Sequence, residues 1–80
     1  MSWNYRIIRE VVTLPDGLGT EDVFTLHEVY YDDEGKPEMW SSDPMHPEGA
    51  TRDDLRKNLH YMLIAFEHPV IEMADLPGAS

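Results

Sequence analysis

The order of apolar and polar positions divides the chain into strand-like, irregular and helix-like stretches. From Trp3 to Leu14, Trp3, Tyr5, Ile7 and Val11 share one parity while Ile8, Val12 and Leu14 share the other. A run so rich in β-branched and aromatic residues predicts a strand that is apolar on both faces. Pro15-Asp16-Gly17 followed by Gly19 marks a reversal, because proline presets φ at the first turn position and glycine tolerates a positive φ. Val23 to Asp32 repeats the pattern, with Phe24, Leu26 and Tyr30 on one face and Val23, Thr25, His27, Val29 and Tyr31 on the other. The polar stretch Asp32–Pro37 has the length of a hairpin connection, and Glu38 to Ser41 around Met39 and Trp40 predicts a short third strand. Two prolines and a glycine between Asp43 and Ala50 predict an irregular crossover.

The period then changes. Thr51-Arg52-Asp53-Asp54 is a helix start, since the Thr51 hydroxyl can accept from the backbone N–H three residues on and two carboxylates sit in the electropositive first turn. Leu55, Leu59, Met62, Leu63 and Phe66 follow at helical spacing and predict the face that meets the core. Pro69, two residues past Glu67, ends the helix because it restricts its predecessor and has no N–H to donate. Val70–Met73 is a candidate fourth strand, and residues 74–80 have the composition of a flexible tail.

The resulting fold class is α+β: a sheet of three or four antiparallel strands packed on one helix, in the order β-β-β-α-(β), forming a single domain over residues 1–80. One helix covers one face of such a sheet, yet the first two strands are apolar on both parities. A cover for the second face is therefore expected, either a second copy in a two-fold homodimer or another protein.

Composition sharpens this picture. Eighty residues without cysteine give one small core with no disulfide or thiolate site, for which oligomerisation is the remaining source of added stability. The lack of cysteine fits a reducing compartment, and cytoplasm is the expected location. No apolar run is long enough to span a bilayer. Sixteen acids against six Lys and Arg, a formal charge of -10, has the wrong sign for direct nucleic-acid binding. Disorder, the other reading of an acidic chain, is opposed by 41% apolar content including two Trp, four Tyr and two Phe.

Candidate chemistry is sparse. Among the four histidines (27, 46, 60 and 68) none has a partner at metal-ligand spacing, and no metal or cofactor is expected. Asp32-Asp33-Glu34 beside Gly35 lacks the ligand ladder of a calcium loop. Ser41 and Ser42 have no nucleophile elbow, and there is no glycine-rich phosphate cradle. Trp3, Tyr5, Trp40 and Tyr61 read first as core and second as the lining of a ligand pocket, with no ligand class indicated. The polar position that asks for an explanation is Glu28, which alternation places with Phe24, Leu26 and Tyr30. Arg6 on the neighbouring strand is its expected ion-pair partner. Glu28, His27, Arg6, Tyr5 and Tyr31 together form the candidate buried polar or interaction site.

SWNYR at 2–6, HEVYYD at 27–32, GKP at 35–37 with Trp40, and HPV at 68–70 resemble a family of short uncharacterised bacterial proteins. In element order, with Gly49-Ala50-Thr51 leading into an Asp-rich helix start, the chain also resembles the HicB-type antitoxins. That resemblance implies a non-catalytic interaction module of partial ribonuclease-H-like type, and it carries no site residue over. Three functions follow: a self-associating or regulatory protein-binding module; a small enzyme or ligand-binding protein using Glu28 and His27 with Tyr30 nearby; and an acidic mimic of nucleic acid.

Overall fold

The computed structural model describes residues 2–78. Its spine is a long antiparallel hairpin of β1 (Ser2–Thr13) and β2 (Thr20–Tyr31), paired without interruption from Ser2↔Tyr31 to Thr13↔Thr20. The reversal is tightened by a short 3-10 turn, Pro15–Gly17, where Asp16 and Gly17 both take positive φ (61° and 71°). Aspartate is among the few non-glycine residues that tolerate this region. The turn closes with Leu14 N–H donating to the Gly19 carbonyl at 2.9 Å.

β3 (Pro37–Trp40) adds to the outer edge of β2, and the crossover leads to helix α1 (Arg52–Leu63). Thr51 caps it, its hydroxyl accepting from Asp54 N–H at 3.1 Å. The helix tightens into a 3-10 turn at Ile64–Glu67 before Pro69. The chain then forms β4 (Ile71–Glu72) on the free edge of β1, giving the order β3-β2-β1-β4. The fold is thus α+β with one helix and four strands. An all-antiparallel sheet is corrected in one respect: β4 runs parallel to β1, through Ile8↔Ile71 and Arg9↔Glu72, so the sheet is mixed. A helix lies between β3 and β4, and such a crossover delivers the chain to the sheet in the direction that a hairpin cannot.

Around Ile8 and Val29, one face of the sheet is covered by the chain itself. Ile8 and Val29 are fully buried there with Leu76, and Tyr31, Trp40, Ile71 and Met73 pack around them. Leu76 arrives through a 3-10 turn at Met73–Asp75, and the Trp40 indole N–H donates to the Pro77 carbonyl at 3.2 Å. The described part of the expected 74–80 tail therefore contributes a core side chain. The second-face cover expected from another molecule is, on this side, supplied by residues 71–77.

A candidate interaction face beside the helix

The open surface is on the helix side. Of the stripe Leu55, Leu59, Met62, Leu63 and Phe66, only Met62 is buried; Leu59, Leu63 and Phe66 remain 45%, 56% and 72% exposed. The residues turned inward are Asn58, Met62 and Ala65. At about 100° of rotation per helical residue, the line through these three lies roughly 80° around the helix from the centre of the apolar stripe. Asn58 explains the rotation. Its side-chain N–H donates to the Tyr5 hydroxyl on β1 at 3.1 Å, and its carbonyl accepts from Glu48 N–H of the crossover at 3.0 Å. A polar residue that ties sheet, helix and crossover together sets the helix orientation, and the leucines are carried to its flank.

That flank faces a groove. Ile7, Phe24 and Leu26 form its sheet wall, Leu59, Leu63 and Phe66 its helix wall, and the space between is about 510 Å³. Phe24 and Val70 extend the apolar surface at 58% and 46% exposure. Scattered exposed leucines are ordinary, but a continuous patch of leucine and phenylalanine marks a contact surface.

The residues singled out in the sequence separate onto two faces. Pairing places Tyr5 opposite Glu28 and Arg6 opposite His27. The expected Arg6–Glu28 ion pair is therefore corrected: the two side chains lie on opposite sides of the sheet. Arg6 instead donates to the Tyr31 hydroxyl at 3.0 Å and to the Pro69 carbonyl at 2.6 Å, while the Tyr31 hydroxyl donates to Asn4 Oδ1 at 2.6 Å. This network ties the segment entering β4 to the hairpin. His27 is 2% exposed, its ring edge-on to Trp40. Its Nδ1 lies 2.9 Å from the Ser41 carbonyl and Nε2 lies 2.9 Å from the Thr25 hydroxyl. The Ser41 hydroxyl also lies 3.2 Å from Nδ1, so both ring nitrogens are engaged. His27 thereby fixes the exit of β3.

Glu28 lies on the helix side with Tyr5 and Tyr30. Partial burial, followed by the adjacent Glu28 carboxylate, holds the Tyr30 phenol above its ordinary range. Arg9, also on this side, is held above its ordinary value first by its 2.8 Å bond to Glu72, with Asp22 at 3.7 Å adding less. Glu28 and His27 share no cleft. Two residues matter that the sequence did not single out: Asn58 and Leu76. For Asn58 the available signal was its place at i−4 from Met62, within the inward quadrant of the helix.

Among the described residues there is no cluster of three or more His, Asp or Glu placed to hold a metal, and no helix long and apolar enough to cross a membrane. Comparison with family models, curated proteins and solved structures returns no match.

Proposed function

We propose that this chain is a non-catalytic protein-interaction module that pairs with a second copy of itself through the groove and exposed flank of α1. The observation that carries the reading is unspent surface. The accessible area is 6031 Å² for a 9.3 kDa chain, whereas a compact monomer of this mass exposes about 5,000 Å². The excess, about 1,000 Å², is close to the roughly 800 Å² per partner of a standard interface. The radius of gyration agrees: 14.5 Å, against about 12 Å for a compact domain of this length.

A second copy suits the surface because the patch is apolar and offers both a ridge, Leu59 to Phe66, and a groove beside it, so that each copy has a ridge to offer the other's groove. Two-fold pairing is the commonest closed arrangement and satisfies both grooves at once. The β-β-β-α-β order, on which the resemblance to HicB-type antitoxins rests, supports an interaction module over an enzyme. So does the placement of Glu28 and His27 on opposite faces, where they cannot act on one atom. The acidic-mimic reading is weaker because Glu21 and Asp22 stand at one end of β2 and Asp32 to Glu34 beyond the other, about 35 Å apart along an extended strand. These carboxylates do not form a single row.

Sedimentation equilibrium across a wide concentration range tests the proposal. A monomer–dimer equilibrium is expected, and Leu59→Glu with Phe66→Glu should leave a monomer of unchanged circular dichroism. A wild-type chain that stays monomeric up to millimolar concentration would refute it.

A further inference from the structure

The opposite flank of α1 carries a second depression of different chemistry. Trp3 and Tyr5 on β1, Tyr61 and Ile64 on the helix side, and the Asn58 amide surround a cleft of about 430 Å³. Trp3 packs edge-on against Tyr5 at 5.2 Å and leans on Tyr30 at 6.1 Å. These contacts hold its ring upright, yet it remains 49% exposed, and Tyr61 remains 64% exposed. Three of the four aromatics that sequence reading grouped as core or pocket lining thus meet here, while Trp40 lies on the closed face. An apolar, aromatic-lined cleft with a polar group at its wall, here the Asn58 amide, is the usual make-up of a small-molecule site.

Charge gives the ligand its sign. Arg56, Lys57 and His60 line a shallower depression that shares Tyr61 with the cleft. In a chain of net charge -10, two of its six basic side chains thus stand in a depression that adjoins the cleft across Tyr61. Arg56 lies 3.8 Å from Asp53 in a solvent-exposed pair, and Lys57 has no carboxylate within ion-pair distance among the described residues. On the sheet, Glu28 is the cross-strand partner of Tyr5 and interacts with the Tyr30 phenol.

We propose that the Trp3–Tyr5–Tyr61 cleft binds a small planar aromatic anion, the ring lying among the aromatics and its phosphate or carboxylate reaching Arg56 and Lys57. Stacking on exposed aromatic rings contributes without regard to ring identity, and an ammonium or guanidinium selects the charged form over the neutral one. The site lies on the other flank of α1 from the self-association groove, the two depressions meeting only at His68.

The test is titration of the ¹⁵N-labelled full chain with 1-naphthyl phosphate, 1-naphthoate, 1-naphthol and inorganic phosphate. The two anionic naphthyl probes should shift the Trp3 indole N–H and the Asn58 side-chain amide saturably, leaving the Trp40 indole in place. 1-Naphthol and inorganic phosphate should each bind at least about fivefold more weakly, and Arg56→Glu with Lys57→Glu should cost a similar factor. Tyr61→Ala, at an exposed helix position, should keep the fold and lose the shift. Equal binding of 1-naphthol, shifts centred on Phe24 and Val70, or no saturable shift at Trp3 would overturn the proposal.

Discussion

Replacing Leu76 by alanine is a sharp test of the closed sheet face. Leu76 is 4% exposed and packs on Ile8 and Val29, both at 0%. Leucine to alanine removes three carbons, worth about 2.4 kcal/mol at roughly 0.8 kcal/mol per carbon, and the cavity left between rigid neighbours raises the cost to about 3 kcal/mol. A single core of this size yields roughly 3 to 5 kcal/mol in total, so the variant should lie near the edge of folding. Urea unfolding followed by circular dichroism measures the effect, with Leu18→Ala as the comparison. Leu18 is 75% exposed at the hairpin turn and its truncation should cost less than about 0.5 kcal/mol. Indistinguishable midpoints for the two variants would refute the reasoning, because they would show that residues 73–77 do not stay on the sheet.

Asn58→Ala should destabilise the chain by about 0.5–1.5 kcal/mol, since it removes the bonds to the half-buried Tyr5 hydroxyl and to the exposed Glu48 N–H; urea melts of the variant beside the wild type check it. Gly49→Ala should cost about 1–3 kcal/mol and shift the amides of Asp54 and Leu55, because a Cβ at Gly49 meets the backbone of both residues. In a spectrophotometric titration of the four tyrosines, Tyr30 should ionise above the ordinary phenol value of 10.0. The fold favours its neutral form, so the stability linked to it is present below that value and is lost as pH rises through the raised one; Glu28→Gln should bring the transition part of the way down. Glu72→Gln should lower stability at low salt, and high salt should erase the difference, because both partners of the Arg9–Glu72 pair are more than a third exposed.

The helix start was legible because the Thr51 cap and its acidic first turn depend only on neighbours, and the hairpin because alternation and Pro-Asp-Gly are equally local. What escaped the sequence depends on register and rotation. Ser2 pairs with Tyr31, so even positions of β1 face odd positions of β2, and that offset sends Arg6 to His27 instead of Glu28. A one-residue slip would reverse every such assignment. The rotation of α1 was hidden because periodicity marks an apolar stripe without saying what it touches, while one asparagine with two partners sets the helix angle. Leu76 was hidden among Pro77 and Gly78, where composition indicates a tail and only the tertiary contact with Ile8 and Val29 says otherwise. The candidate site followed the same division: its aromatic members could be named, and the flank of the helix on which they gather could not.

The parallel seam between β1 and β4 also has a bearing on how the chain is made. Arg9 and Glu72 are 63 residues apart in sequence, whereas the β1–β2 hairpin is joined by a short turn. Local pairings form fast and distant ones slowly, so on the ribosome the hairpin is complete long before Ile71 and Leu76 emerge. Through that interval Ile8 and Val29 have no cover. The nascent hairpin is therefore the stage at which this protein is most open to capture by a chaperone or to pairing with the wrong strand, and substitutions that slow the arrival of residues 71–76 should appear as lost yield before they appear as lost stability.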